Sequence, residues 1–523
     1  MSNRWFSLAA VCLGMMLSFL NITATISALA SLQQDLQISN ATLVWIPSIY
    51  ALVVAALVLS TGTIGDVYGR RRAFVAGTAV MAVGSVLTAT AGSGSWVIVA
   101  QAVTGVGGAL VLPNSLAIVS HLFPDPRERT EAITVWAACS GLGLALGPLS
   151  AGAILLAFSW PIIFLVNSIA AALVTVVVMV VVRKGSSGSA RLDWYGLVSG
   201  TLAIAAFTYW VIDGSHNGFL SKSALSAITL AAVGLAAFFT VEVRSDHPML
   251  DLRLFRSASF SAVMLVAATA MFGFTGIALI SVLLLQKVDG LTAWSTGLHL
   301  LAMMGTYVLV SAVAPKVLAR IGFKIPLTAG LVLVSLGAIM LLRVRADSGS
   351  IEITTGLIVV GIGFGLLIAP STAAAMISVE PQRAGMASAA VNMVRQLGGV
   401  LGSSVLGSVL TAKFASELPG RLAERGVPGP IADVTAAGAA NGAVSPAVEF
   451  TDQISGAVAE AFTAAYRSGI TIAAVTFAIV AVIAAVFVTS RPTHTSRKET
   501  SHDVSTHHRG IVGNRTSDSD RVR

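Results

Sequence analysis

The sequence predicts an all-α membrane protein of fourteen transmembrane helices, arranged as two six-helix halves with pseudo-twofold symmetry and an inserted pair, helices 7 and 8. Three observations carry this. Of 523 residues, 55% are hydrophobic and only 11% are charged, against about 25% charged in a soluble protein. The charged residues are gathered between long uncharged runs. A similar basic turn follows the second and the tenth of the predicted helices, and two like turns eight helices apart mark an internal repeat of six plus six.

The uncharged runs cover 5–30, 36–65, 73–124, 132–182, 194–212, 223–241, 257–286, 290–315, 325–342, 353–379 and 468–490, with 384–412 interrupted only by Arg395. A helix crosses the ~30 Å hydrocarbon core in about 20 residues. The runs of 52 and 51 residues therefore hold two helices each, broken at Gly92–Ser95 and at Ser159–Pro161. The first run follows Arg4 and ends in the small residues Ala28 and Ala30, as a signal peptide would. At 26 residues it exceeds the ~7–15 residue apolar region of a signal, so it is expected to remain as the first helix.

Orientation follows from the connections. With the N-terminus inside, the short inner loops hold fifteen Lys and Arg residues, among them Arg70, Arg71, Arg72, Arg183, Lys184, Arg253 and Lys324, and the short outer loops hold four. This positive-inside bias puts both termini in the cytoplasm. The expected divisions are a first half (1–182), the inserted helices 7 and 8 (183–256), a second half (257–490) with a long outer loop at 413–467, and a disordered cytoplasmic tail (491–523). Within the outer loop, Val448 to Tyr466 reads as amphipathic helix. The tail is too polar to bury a core, and its four histidines read as solvated rather than metal-binding. Abundant Ala, Gly and Val suggests GC-rich DNA and hence a bacterial plasma membrane.

Several chemistries are set aside. The net charge of +8 comes from loop residues between spans, so no nucleic-acid partner is implied. Cys12 and Cys139 lie inside apolar runs, where neither a disulfide framework nor a metal site is expected. The sequence has no Gly-Lys-Ser/Thr phosphate loop and no His-Glu-x-x-His pair. Glycine strings such as Gly361, Gly363 and Gly365 fall inside apolar helices, where close packing explains them. No enzyme activity, cofactor or metal is expected.

Between spans 2 and 3, Gly62, Asp66, Gly69, Arg70, Arg71 and Arg72 form a tight turn with one acid and three bases. A positive-inside turn needs the arginines, but it does not need Gly62, Asp66 and Gly69 at that spacing. The pattern resembles the signature loop of the major facilitator superfamily, G-x-L-x-D-x-x-G-R-R/K. A degraded echo without the acid follows span 10 at Pro315, Lys316, Arg320, Gly322 and Lys324. In span 5, Gly143, Gly147, Pro148 and Gly152 form a small-residue face with a helix-bending proline. They are similar to the antiporter motif G-x-x-x-G-P-x-x-G-G of drug exporters, with Ala151 in place of one glycine. Together with fourteen spans and the segment Asn392, Arg395, Gln396 and Gly398 in span 13, residues 5–490 resemble the fourteen-spanner drug/proton antiporters of the EmrB/QacA type.

That resemblance implies a monomeric, proton-coupled exporter of small amphipathic compounds, alternating between inward- and outward-open states. Two departures qualify it. Span 1 is similar to the family's L-D-x-T, with Asn21 in place of the aspartate and Thr23 retained, and span 4 carries Gln101 where the family has arginine. Both amides lie roughly 10–14 Å from the outer side by helical rise, so they are expected to face each other. No span carries an Asp or Glu at mid-depth. Arg395, ~16 Å from the inner end of its span, is a functional candidate because an unpaired charge there costs at least ~2.5–3.5 kcal/mol. A structural arginine bonding backbone carbonyls is the alternative. His299, ~13 Å from the outer end of span 10, is a possible proton carrier or a structural hydrogen-bonder. The missing acids point to neutral or anionic substrates. They also leave open an uncoupled facilitator or uptake carrier, or a transporter-derived sensor.

Overall fold

The computed structural model of the protein describes residues 2–182, 194–244, 252–345, 350–377, 384–432, 435 and 451–489. In chain order its helices are α1 Ser2–Leu36, α2 Asn40–Tyr68, α3 Arg70–Ala89, α4 Gly94–Leu122, α5 Pro126–Leu155, α6 Pro161–Val181, α7 Trp194–Asn217 and α8 Lys222–Arg244. After a short 3₁₀ turn at Leu252–Arg256 come α9 Ala258–Lys287, α10 Ala293–Ile321, α11 Lys324–Leu341, α12 Ser350–Ile377, α13 Ala384–Glu424 and α14 Thr451–Phe487. Twelve of these have length and apolarity enough to cross a membrane outright. The other two are α2, which bends by 53° between Val58 and Ser60, and α5, whose apolar part is Cys139–Leu155. At the bend in α2 the Thr61 hydroxyl bonds the Val58 carbonyl at 3.2 Å, an insertion into the helical ladder that favours a kink.

Contacts at the helix ends show that successive helices alternate in direction. At the arginine-rich end, Trp5 packs edge-on against Phe123 at 5.2 Å, and Ser7 bonds the Val181 carbonyl. At the opposite end, the Trp160 indole donates to Asp35 at 2.7 Å, and Arg467 donates to the Val344 carbonyl. Large apolar side chains are left exposed in helical register, for example Ile169, Leu173, Val176 and Val180 on α6 and Val475, Ile479, Val482 and Val486 on α14. In water such stripes would drive aggregation; toward lipid acyl chains they carry no penalty.

The sixfold repeat is visible in the packing. In the first half α1 packs on α4, α5 and α6, α3 on α4 and α6, and α2 on α4. Adding eight to each helix number gives the pairs of the second half: α9 with α12, α13 and α14, α11 with α12 and α14, and α10 with α12. Matching glycines make matching contacts. A Cβ on Gly143 or Gly147 of α5 would stand 2.3 Å from the Met16 carbonyl oxygen or 1.9 Å from the Thr23 hydroxyl of α1. On Gly398 or Gly402 of α13 it would stand 2.0 Å from the carbonyl oxygens of Ala268 and Phe272 of α9. The halves join where α5 meets α10 and α2 meets α13, pairs that the same offset exchanges. Helix α7 leans on α2 and α13, and α8 packs on α7.

Helices overrun the uncharged stretches where the sequence suggested loop. Of the segment expected as an outer loop at 413–467, α13 takes residues through Glu424 and α14 takes those from Thr451 onward. The amphipathic stretch expected from Val448 to Tyr466 is, from Thr451, the first half of α14 with no break before the span. Its apolar face continues that of the span: Phe414 meets Phe462 at 5.4 Å, with Leu418, Leu422, Ile454 and Ala461 buried alongside. Residues 433–434 and 436–450, the junction 183–193 and the tail 491–523 lie outside the described residues.

Backbone contact at Gly402 yields a stability test. Gly402→Leu forces α9 and α13 apart and is expected to cost about 1–3 kcal/mol, read as a lowered thermal midpoint in detergent. Gly420→Leu, where nothing lies within 4 Å of a new Cβ, is the control and is expected to leave the midpoint unchanged.

Candidate functional site

The amide pair expected from depth arithmetic forms. The Asn21 Nδ2 of α1 donates to the Gln101 Oε1 of α4 at 3.2 Å, and Gln101 Nε2 donates onward to the Thr88 hydroxyl of α3 at 3.2 Å. Asn21 and Gln101 are buried, and Asn21 Oδ1 has no hydrogen-bond partner among the described residues. The pair thus offers an unpaired acceptor and no carboxylate. Thr23 lies elsewhere: its hydroxyl fills the space over Gly147 and bonds the Leu20 carbonyl, so it packs α1 on α5.

In the second half Arg395 projects from α13 toward α12. Its Nη2 donates to the Ile368 carbonyl and to the Ser371 hydroxyl at 3.3 Å, while its buried Nε has no partner among the described residues. Among the described residues no acid neutralises it; its electrostatic neighbour is the fully buried Tyr307 of α10. Tyr307 in turn lies against Gly141 of α5, with the hydroxyls of Ser140 and Ser311 close to its own. An unpaired cation thus sits beside a seam between the halves. Asn392 and Gln396, one turn before and one residue after it, are buried on the same helix.

The basic turn is built as a connected cluster. Arg70 Nε bonds Asp66 Oδ1 at 2.7 Å, with the two side chains 30% and 46% exposed; such an exposed pair contributes little stability by itself. What it does is aim Arg70, whose Nη1 also reaches the Ala117 carbonyl of α4 at 3.4 Å. Arg71 reaches across to the Met179 carbonyl of α6, and Arg72 is exposed. Gly69 closes α2 at φ +101°, its N–H bonding the Gly65 carbonyl at 2.9 Å, a backbone conformation that favours glycine. A Cβ on Gly62 would stand 3.7 Å from Pro113 Cβ of α4, in ordinary contact. At the echo, Gly322 ends α10 at φ +74° in the same manner, and no acid is present there.

On α5 the motif glycines divide their work. Gly143 and Gly147 meet α1, whereas a Cβ on Gly152 would stand 2.8 Å from Trp294 Cα of α10, and one on Gly297 of α10 would stand 2.9 Å from the Pro148 carbonyl oxygen. Helix α5 is therefore shared between the halves. Near this contact His299 Nδ1 bonds the Thr354 hydroxyl of α12 at 2.7 Å. Burial pushes the carboxyl of Asp289, in the connection before α10, above its ordinary value, and nearby His299 opposes that shift.

Residues 11–403 match the Major Facilitator Superfamily. The chain belongs to this superfamily. Within it, the chain is 34% identical over 430 residues, 82% of its own length and 80% of the relative's, to the multidrug resistance protein Stp of Mycobacterium tuberculosis strain CDC 1551 / Oshkosh. It is 31% identical over 490 residues, 93% and 96% of the two chains, to the multidrug efflux pump LfrA of Mycolicibacterium smegmatis. In fold it is similar to a bacterial homologue of the human lysosomal transporter Spinster, solved inward-facing and unoccupied. The TM-score is 0.64 at 16% identity, covering 94% of this chain and 98% of that one.

Three residues of this superfamily member were not singled out from sequence. Asn114 of α4 donates to the Thr61 carbonyl at 3.1 Å and lies where a Cβ on Gly65 would be, so it anchors the basic turn. A polar residue directly after Pro113 in an apolar span was the available signal. Asp35 and Asp289 escaped because only acids at mid-depth were weighed.

The amide pair lends itself to a double-mutant cycle. Asn21→Ala strands the buried Gln101 acceptor, so the paired substitution Asn21→Ala/Gln101→Ala should cost less than the sum of the singles. The expected coupling is about 0.5–2 kcal/mol from thermal unfolding in detergent. Additive costs would mean the two amides do not depend on each other.

Proposed function

We propose that this member of the major facilitator superfamily is a secondary active exporter of small amphipathic organic compounds in a bacterial plasma membrane, with both termini in the cytoplasm. The observation that carries the reading is where the halves touch. The located contacts, Gly152 with Trp294, Gly297 with Pro148, Gly141 with Tyr307 and the 3.2 Å pair Ser48–Ser403, run from mid-helix to the end opposite the basic turn. On the positive-inside orientation that end is external, and the structure represents the state closed to the outside. Substrate then enters from the cytoplasm between the halves and meets the amides of Asn21 and Gln101 on one side and Arg395 on the other. Rocking of the halves about α5–α10 and α2–α13 exposes it outside, with the Asp66–Arg70 cluster as the latch at the inner end. The relatives named as a multidrug resistance protein and an efflux pump support export as the direction.

Substrate charge follows from the electrostatics. A cation entering between the halves would lose hydration with no counter-ion at mid-depth, because every Asp and Glu of the described helices lies within two turns of a helix end or in the extensions of α13 and α14, and Arg395 would repel it. Neutral and anionic compounds are therefore preferred. In cells expressing the protein, efflux of a neutral dye is expected to exceed that of a dicationic dye by at least tenfold, and to collapse on addition of an uncoupler. Equal efflux of the dication overturns the charge reading, and efflux indifferent to the uncoupler favours the uncoupled facilitator that the absent carboxylate allows.

Any carried proton must use His299, Asp66, Asp289 or the substrate's own ionisable group. Asn21→Asp places a titratable carboxyl beside Gln101 and is expected to change the pH profile of transport while expression stays normal. Superimposable profiles for parent and variant would remove this position from coupling.

A further inference from the structure

At the end opposite the basic turn lies a cleft of about 650 Å³, a volume within the range of drug-sized ligand sites. One wall is the last turn of α1, bearing Asp35, and the α5–α6 connection, bearing Phe158 and Trp160; the other is the start of α10, bearing Thr292 and Trp294. The walls belong to different halves. The cleft is therefore complete only while Gly152 and Trp294 are in contact, and it loses a wall when the halves part at this end.

Its chemistry is opposite to that of the path between the halves. Asp35 Oδ2 accepts the Trp160 indole N–H at 2.7 Å, and its other oxygen has no hydrogen-bond partner among the described residues. Trp160 is 3% exposed and held edge-on by Phe164 at 6.1 Å, so a fixed indole orients the exposed carboxylate. Trp294 faces them from α10, and Phe158 is exposed beside them. Among the described residues no Lys, Arg or His lines the cleft. A carboxylate among aromatic rings recognises an organic cation, through charge and through the ring faces.

We propose that this cleft is a binding site for aromatic quaternary ammonium compounds, distinct from the transport path, and that its occupant clamps the two halves in the closed arrangement. A ligand that binds one state shifts the equilibrium toward it by its occupancy ratio: at a hundred times its Kd the closed-to-open ratio rises about a hundredfold. On the export reading, such a cation acts as an inhibitor from outside. Binding and clamping stand without that reading.

The test uses the purified full chain in lipid nanodiscs and phenyltrimethylammonium as probe. Saturable binding is expected by calorimetry, weakened at least tenfold by Asp35→Asn, which keeps an acceptor for Trp160, and also by Trp294→Ala on the other wall. Benzenesulfonate, the anion of similar shape, is expected not to bind. Clamping is read without transport, as the rate of oxidative cross-linking in the Ser48→Cys/Ser403→Cys variant, which the cation should raise several-fold. Absent binding, or binding indifferent to both substitutions, overturns the site; an unchanged cross-linking rate overturns the clamp. Export that falls in maximal rate with unchanged KM when the cation is added outside supports the inhibitory role, and a competitive pattern overturns it. Absence of export by the unmodified protein without the cation, with Asp35-dependent binding and clamping present, would sink the exporter reading and leave the site standing.

Discussion

Inside a bilayer, helices gain nothing hydrophobic by leaving lipid for one another, so this bundle depends on how closely backbones can approach. The contacts of α5 and α13 show how the chain meets that constraint. Gly143 and Gly147 seat α5 on the backbone of α1, and Gly398 and Gly402 seat α13 on α9, at distances that leave no room for a Cβ. On α5, Gly152 then meets α10 about one turn beyond the motif proline. A single helix thus carries the tightest contact inside its half and a direct backbone contact to the other half. Displacement of α5 cannot be absorbed by soft side chains and must pass from one half to the other.

The same dry interior makes every polar side chain consequential. The Asn21, Gln101 and Thr88 chain satisfies three helices at once, and it does so without a charge. Arg395 leans on a backbone carbonyl, a hydroxyl and the neighbouring Tyr307 in place of an acid. The two halves are alike in packing and unlike in electrostatics: the first buries a chain of neutral amides, and the second buries an arginine with no acid beside it among the described residues.

The number and alternation of the helices were legible because charge is almost absent from the spans and concentrated between them. Asn21 and Gln101 could be paired because helical rise converts sequence position into depth. Helix ends were less legible, since α13 and α14 continue past the apolar runs through an amphipathic packing that a test for uncharged stretches does not register. Thr23 came in with the motif that carries Asn21, and which way it faces depends on the crossing of α1 with α5. Asn114 and Asp35 were passed over for a related reason: their importance comes from what meets them, Gly65 in one case and the Trp160 indole in the other, and neither contact is local in sequence.

The overlong helices have a mechanical consequence. At 41 and 37 residues, α13 and α14 measure about 61 and 55 Å, roughly twice the hydrocarbon core of ~30 Å. Beyond the bilayer they are braced by the Phe414–Phe462 contact at 5.4 Å and the Arg425–Glu460 bridge at 2.7 Å. Such a braced pair is a lever arm fixed to the second half: a tilt of ~10°, of the order seen in rigid-body transitions, sweeps a tip ~20 Å above the membrane through about 3–4 Å. If the halves rock, this mast carries an event between buried helices to whatever touches the end of the protein opposite the basic turn.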